Sequence, residues 1–167
     1  MSPKEISLVL VGSGPGSYSG TRVGLAAAQG VALAAGCPVV AVPSVIAAPS
    51  ALAGSCLVIG DARRGSYWTA AVENGRLVRE PELTDEEGFR RLVENAKILI
   101  SFEDAARTKF PTDRAISFEQ PTAALLWQAW RATPPAVQEA WAKEPPQPHY
   151  LRPPHITESK RAWPVTK

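Results

Sequence analysis

The sequence predicts an α/β fold, and three stretches carry that prediction. An apolar run of strand length, Leu8–Val11, ends at Gly12, and a helical periodicity restarts at Val23. A second apolar strand, Pro38–Val42, follows the helix, and the order strand, helix, strand indicates a parallel pair with a right-handed crossover. Further along, Asn74-Gly75 is the clearest two-residue hairpin signal in the chain. A parallel unit is therefore followed by an antiparallel one.

The length and composition of the chain limit the classes of function that it can have. A chain of 167 residues can bury one core, or two small lobes that share one, and its formal charge is only +2. Lys and Arg are not clustered as phosphate contacts require, so the composition does not indicate strong affinity for nucleic acid. Cys37 and Cys56 lack metal or redox spacing and are expected to be buried, reduced thiols. Met1–Glu5 is no signal peptide, and Gly and Pro interrupt the apolar stretches, so we expect a cytoplasmic protein without a membrane segment.

Residues 1–53 are predicted to form a partial N-terminal lobe. Its elements are the strand Ile6–Val11, the glycine loop Gly12–Arg22, the helix Thr21–Ala35, the strand Pro38–Val42, and a weak helix from Ser44 to about Leu52. Gly36 suits the left-handed position that ends a helix. Ser44 suits an N-cap, and Pro49 would break or bend the helix that follows it.

Residues 54–133 are predicted to form a second lobe with the order βββαβα. Its elements are the strands Cys56–Gly60, Ser66–Val72 and Arg76–Arg79, a helix from the capping box Thr84-Asp85-Glu86-Glu87 to Asn95, the strand Lys97–Phe102, and a helix from Pro121 to Arg131. This order resembles the ribonuclease H-like lobe that is duplicated in the actin, hexokinase and Hsp70 superfamily. Residues 134–167 are predicted to be a proline-rich C-terminal segment with one short helix, Ala136–Lys143.

The loop Gly12–Arg22 is the most informative stretch of the chain. Its glycines permit positive φ and close approach of the backbone, so a shaped turn is expected. Arg22 is the one charged residue between Ile6 and Gly60, and it lies where the helix begins. A cation there opposes the helix macrodipole by ~0.3–1 kcal/mol, so we expect an anion nearby. That anion could be a phosphate, a carboxylate of this chain, or a partner's carboxylate.

The loop Gly12–Arg22 does not match any of three known glycine-rich motifs. A P-loop needs a Lys that the loop lacks. The dinucleotide fingerprint lacks its third Gly, because Ser19 stands there, and no acidic residue follows about 20 positions on. The hydrolase elbow G-x-S-x-G is absent as well, since Gly16-Ser17-Tyr18-Ser19-Gly20 has its serines in other positions.

The run from Gly14 to Gly24, GPGSYSGTRVG, resembles without a gap the signature of the TsaB (YeaZ) family, G-P-G-S-[FY]-[ST]-G-x-R-[IV]-G. DARRG at Asp61–Gly65 is similar to a second family segment, although Ser66 replaces its usual Glu. HYLRPP at His149–Pro154 is similar to the closing P-x-Y-L-R. The resemblance covers nearly the whole chain and is weakest between Glu80 and Pro148.

The resemblance implies an accessory subunit in the N6-threonylcarbamoyladenosine modification of adenosine 37 in tRNA. The implied fold has two ribonuclease H-like lobes, the first incomplete here. The implied partners are a TsaD-type catalytic subunit, a TsaE-type ATPase in the full complex, and a second copy of the chain when it is alone. We expect no cofactor, with contact to ATP or ADP at the TsaD interface left open. The loop residues expected to contact the partner or nucleotide are Gly14, Pro15, Gly16, Ser17, Tyr18, Gly20 and Arg22. The residues expected to pack in an interface helix are Val23, Ala27 and Ala34.

Measured against the TsaB family, the chain is expected to be shortened at its N-terminus. Family members begin with a strand bearing D-T-S, two further strands and a helix, which would all precede Met1 here. The strand Ile6–Val11 would then lack its sheet neighbours and expose apolar surface and hydrogen-bonding edges. A misplaced gene start, a fragment, or completion by another chain would each account for this.

A metal-dependent nuclease is the first alternative. Asp61 and Glu103-Asp104 follow two strands of the second lobe, where ribonuclease H-like nucleases place carboxylates, and Glu87 or Glu94 would supply the third. The competing interpretation is that Asp61 pairs with Arg63 or Arg64 in a turn and that Glu103-Asp104 caps the next segment. A phosphotransferase relative, with nucleotide phosphate on the glycine loop, is the second alternative.

Hydrolytic and metal chemistry have less support. The histidines, His149 and His155, lie in the proline-rich segment and are expected on the surface rather than as general bases. No cysteine has a ligand at zinc spacing, and TsaD, by the resemblance, holds its metal through a histidine motif that is absent here. Trp127 and Trp130 have helical spacing and are expected in a core or interface rather than as a base-stacking platform.

Overall fold

The computed structural model describes residues 3–152, so the predictions on His155, Pro153-Pro154 and the part of the proline-rich segment after residue 152 lie outside it. Seven strands are described: β1 Val9–Gly12, β2 Val39–Val42, β3 Ser55–Asp61, β4 Tyr67–Glu73, β5 Arg76–Thr84, β6 Leu99–Ser101 and β7 Ser117–Phe118. Five α-helices accompany them: α1 Tyr18–Ala35, α2 Pro49–Ala53, α3 Glu86–Asn95, α4 Ala123–Ala132 and α5 Pro135–Lys143. The α/β class predicted from the sequence is confirmed.

The first sheet is the predicted parallel pair. β1 and β2 run parallel with Val9 opposite Val39 and Gly12 opposite Val42, and α1 connects them. Within residues 3–152, β1 has no second strand beside it. The strand itself begins at Val9 rather than at Ile6, so the predicted boundary was three residues too early.

The second sheet has five strands in the order β5-β4-β3-β6-β7. The predicted antiparallel strands β3, β4 and β5 form one side, and β6 pairs parallel with β3 on the other. β5 runs to Thr84, beyond the predicted Arg79, and β7 was not predicted. β7 has only two residues, both exposed, so it carries no hydrophobic pattern.

Two clusters of buried residues hold these elements together. The larger contains residues from both sheets and from α4, among them Val42, Val45, Val58, Ile100 and Leu126. The smaller packs Phe89 and Val93 of α3 on Leu57, Ile59 and Leu99. The larger cluster therefore joins the parallel pair to one face of the five-stranded sheet, while α3 covers the opposite face.

Three local predictions need correction. The segment after Ser44 is not one helix but a 3-10 turn, Ser44–Ile46, followed by α2, in which Pro49 takes the first turn. Ser44 does not cap that segment, because its hydroxyl is used by the glycine loop. The helix α3 is capped by Asp85 rather than Thr84, since the Asp85 carboxylate accepts the Gly88 N–H at 2.8 Å.

Candidate functional site

The glycine loop is a corner held on both sides by hydrogen bonds. The Gly14 N–H donates to Ser44 Oγ at 3.0 Å, and the Ser44 N–H donates back to the Gly14 carbonyl at 2.9 Å. Gly14 has a φ of 96°, a conformation that a residue with a Cβ rarely adopts. The loop is thus fixed to the turn that follows β2, as expected of a shaped rather than a mobile segment.

Ser17 is the N-cap residue at which the glycine loop leads into α1. Its side chain accepts the Gly20 N–H at 3.3 Å, which is the N-cap geometry that satisfies an otherwise unpaired helix donor. The helix consequently begins at Tyr18, three residues before the predicted Thr21. Gly36 ends it with a φ of 68°, as predicted. The loop residues thereby fix both the start and the direction of an 18-residue helix.

Within residues 3–152, Arg22 is supported by an aromatic side chain and not by an anion. Its Nη1 donates to the Tyr18 hydroxyl at 3.1 Å, and its guanidinium carbon lies 5.0 Å from the centre of the Tyr18 ring. The Tyr18 ring in turn lies 5.3 Å from the ring of Tyr150. No carboxylate within residues 3–152 pairs with Arg22. Of the anions considered from the sequence, a carboxylate of the described chain is therefore not used.

Helix α1 has a packed side and an open side. Leu25 and Ala32 are buried against the rest of the protein. The open side carries Val23, which is 69% exposed, and Leu33, which is 86% exposed. The remaining exposed residues along this side are uncharged, namely Ala26, Ala27, Gly30, Val31 and Ala34. The three residues predicted to pack in an interface, Val23, Ala27 and Ala34, are all exposed within residues 3–152.

A cleft of about 640 Å³ lies between the glycine loop and the five-stranded sheet. Its walls include the side chains of Tyr18, Asp61, Trp68, Phe102, Glu103 and Tyr150. One wall comes from residues 146–152, called the tail strap here, of which Pro148–Arg152 line the cleft. The strap is tied down by the His149 N–H, which donates to the Ser13 carbonyl at 2.8 Å, and by Gln29, which donates to the Pro146 carbonyl at 3.2 Å.

The carboxylates predicted for a nuclease are only partly brought together. Asp61 and Glu103 meet at the end of adjacent strands, where the Asp61 N–H lies 3.4 Å from Glu103 Oε1. Asp61 also pairs with Arg63 at 3.0 Å, as the turn interpretation predicted. Asp104 accepts the Ala106 N–H at 2.9 Å and opens the next turn.

The third carboxylate of a nuclease site is not near this pair. Glu87 and Glu94 are exposed on α3, whose buried residues Phe89 and Val93 pack on the face of the sheet away from the larger core cluster. The cleft side chains Trp68 and Phe102 belong to the other face. Within residues 3–152, no three His, Cys, Asp or Glu side chains are grouped to hold a metal ion.

The other candidates from the sequence are placed as follows. His149 is exposed and participates through its backbone. Cys56 is buried, and burial, with Glu119 as a lesser cause, raises the pKa of its thiol from 9.0 to about 11. Trp130 contacts Trp141 with ring centres 6.4 Å apart, whereas Trp127 is 51% exposed. No helix within the described part of the chain is long and apolar enough to cross a membrane.

Sequence reasoning missed two contributors to the site. Tyr150 lies 132 residues from Tyr18 in the chain, and no local signal joins them. The contact between Tyr18 and Arg22 did have a signal, because the two residues are four apart and face each other on a helix. A predicted helix that began at Tyr18 would have placed the two side chains in contact.

Comparisons with known proteins give one matching family model and solved structures of similar fold. A family model described as TsaD, tRNA N6-adenosine threonylcarbamoyltransferase, matches residues 1–143. Among solved structures, one described as an uncharacterized protein with similarity to peptidase YeaZ from Pseudomonas aeruginosa is 21% identical, with a TM-score of 0.59. The match covers 90% of this chain and 76% of that one. YeaZ from P. aeruginosa is 19% identical with a TM-score of 0.54, over 77% of this chain and 66% of that one. These two structures show the fold. No curated protein matches the chain.

Proposed function

Because the chain belongs to the family of TsaD, tRNA N6-adenosine threonylcarbamoyltransferase, we propose that it is a non-catalytic subunit of TsaB type. In this proposal it binds and activates a TsaD-type catalytic subunit, which carries out N6-threonylcarbamoyladenosine modification of adenosine 37 in tRNA. The tRNA is held by the complex, and this chain contacts it only indirectly.

The observation that carries the proposal is the open side of α1. An exposed helix side with Val23, Val31 and Leu33 but no charge apart from Arg22 is unusual on a protein surface. Contiguous exposed apolar surface of this kind marks sites of protein association. Its small residues let a partner helix approach closely. The glycine loop then acts as the corner that aims this helix at the catalytic subunit.

The chemistry of the cleft supports an accessory role. His149 is exposed, and the Asp61 carboxylate forms an ion pair with Arg63. Neither side chain is therefore placed as a general base beside a nucleophile. The Cys56 thiol is buried and does not line the cleft, so it offers no nucleophile there. The described residues thus present a binding surface more clearly than a reaction centre.

The remaining partners follow from the same proposal. A TsaE-type ATPase joins the full complex, ATP or ADP can contact the glycine loop at the TsaD interface, and the chain forms a homodimer when no catalytic subunit is present. The protein works in the cytoplasm, where tRNA is modified.

A binding experiment with matched variants tests the proposal. The purified chain is mixed with the TsaD-type subunit of the same organism and followed by size-exclusion chromatography with light scattering. We expect a stable complex, which Val23→Asp on α1 abolishes. Val78→Asp is the matched control, because Val78 is 59% exposed on β5, an edge strand of the five-stranded sheet. Equal loss in both variants, or no complex with the wild type, would count against the proposal.

One observation favours a second function. Asp61 and Glu103 lie together at the end of the sheet, as in a ribonuclease H-like nuclease. Incubation of the isolated chain with RNA and DNA in Mg²⁺ decides this alternative. Cleavage that disappears in Asp61→Asn would support the nuclease, and the absence of cleavage above a no-protein control would reject it.

A further inference from the structure

We propose that Arg22 is a preorganised receptor for a carboxylate of the catalytic subunit, so that the open side of α1 selects an acidic partner over a second copy of this chain. The inference rests on the proposed function, because it assigns the chemistry by which the same surface recognises its partner. Its basis is the geometry of Arg22 together with the charge pattern of α1.

Arg22 is held in place although it is exposed. The Tyr18 hydroxyl accepts from Nη1 at 3.1 Å while the Tyr18 ring lies 5.0 Å from the guanidinium carbon. Tyr150 packs on Tyr18 at 5.3 Å, and the neighbouring His149 N–H fixes the strap to Ser13 at 2.8 Å. An exposed arginine ordinarily samples many rotamers, so this support lowers the entropy that binding would cost.

The held guanidinium still has donors to offer. Arginine carries five N–H groups in a planar fork, and the Tyr18 hydroxyl accepts from one nitrogen of Arg22. The other N–H groups have no acceptor within residues 3–152. A planar fork with free donors matches a carboxylate in bidentate geometry. The side chain is therefore poised toward solvent for a ligand of that shape and charge.

A second copy of the chain cannot supply this ligand from the same surface. No Asp or Glu occurs between Tyr18 and Ala35, so two α1 helices that pack on each other offer Arg22 no carboxylate. From α1 itself, an antiparallel copy would offer only the partial charge of the helix C-terminus, about half an elementary charge. Two of the carbonyls at that end already accept the Gly36 and Cys37 N–H groups. The α1 surface of a second copy therefore leaves Arg22 without a carboxylate, whereas an acidic partner can supply one.

Three variants separate recognition from folding. Arg22→Glu reverses the charge, Arg22→Lys keeps the charge without the fork, and Arg91→Glu makes the same charge change at an exposed site on α3. Each is titrated against the purified TsaD-type subunit by isothermal calorimetry at low and high NaCl. Self-association of each chain alone is measured by sedimentation equilibrium, and circular dichroism checks that each is folded.

We expect Arg22→Glu to weaken binding to the catalytic subunit by about tenfold or more, Arg22→Lys to weaken it less, and Arg91→Glu to leave it unchanged. The salt dependence of affinity should be smaller in Arg22→Glu than in the wild type, and self-association should not weaken. If the wild type binds and Arg22→Glu binds equally well, the inference is wrong while the proposed function stands. Self-association that is lost in Arg22→Glu would assign the residue to a second copy and also overturn the inference. No binding by the wild type would reject both proposals.

Discussion

Two substitutions of the same kind, Gly14→Ala and Gly30→Ala, should change stability in opposite directions. Gly14 has a φ of 96°, and a Cβ there would lie 3.2 Å from the Gly16 nitrogen. Holding a residue with a side chain in such a conformation costs about 1–3 kcal/mol. Gly30 lies inside α1, and a Cβ there meets no other atom within 4 Å.

The expected magnitudes follow from these surroundings. Gly14→Ala should lower the free energy of unfolding by about 1–3 kcal/mol, and the melting temperature by about 2–4 °C for each kcal/mol. Gly30→Ala should raise the free energy of unfolding by up to about 1 kcal/mol, because alanine favours a helix interior over glycine. Urea denaturation monitored by circular dichroism measures both.

The same pair also tests the interface. Gly30 lies among the exposed residues of α1, so an added methyl group should hinder close packing of a partner helix while stabilising the free chain. We expect Gly30→Ala to bind the catalytic subunit more weakly despite its greater stability. A destabilised Gly30→Ala, or a Gly14→Ala as stable as the wild type, would refute this account of the loop and helix.

Three further predictions concern the core and the two cysteines. Gly60→Ala should destabilise the fold by about 1–3 kcal/mol, because a Cβ at Gly60 would overlap Nε1 of the buried Trp68. Thermal unfolding equal to that of the wild type would contradict the packing. Cys37 should react with Ellman's reagent in the folded protein, while Cys56 should react only after unfolding. The control is Cys37→Ser, in which Cys56 is the remaining thiol. Rapid labelling of the folded Cys37→Ser chain would show that Cys56 is accessible and would contradict the prediction. Since the folded Cys56 thiol keeps its proton to about pH 11 and an ordinary thiol loses it near 9.0, the free energy of unfolding should fall as the pH rises between these values. Cys56→Ala should show a shallower fall in urea denaturation, and an equal slope would exclude this cause.

Much of the fold could be predicted because local signals agree with it. The strand Pro38–Val42 and the Asn74-Gly75 turn are each within a residue or two of their observed positions. Capping was harder to predict. A serine suits many positions, and only the fold shows that Ser17 starts α1 while Ser44 fastens Gly14.

The residues of the candidate site could be predicted from the sequence, but the contacts between them could not. The sequence singled out Arg22 and predicted an anion beside it, and within residues 3–152 the structure places Tyr18 there. The strap contact of Tyr150 depends on tertiary packing between distant parts of the chain. Periodicity also could not predict that Leu25 is buried on α1 while Val23 is exposed, since both residues are apolar.

Reconstitution of tRNA modification tests the central claim most directly. The TsaD-type subunit, its ATPase partner, threonylcarbamoyl donor and unmodified tRNA are incubated with and without this chain, and modified adenosine is measured by mass spectrometry of nucleosides. We predict that modification requires the chain, that the chain alone produces none, and that Val23→Asp reduces it to background while Val78→Asp does not. Equal modification with the chain left out, or modification by the chain alone, would contradict the accessory role.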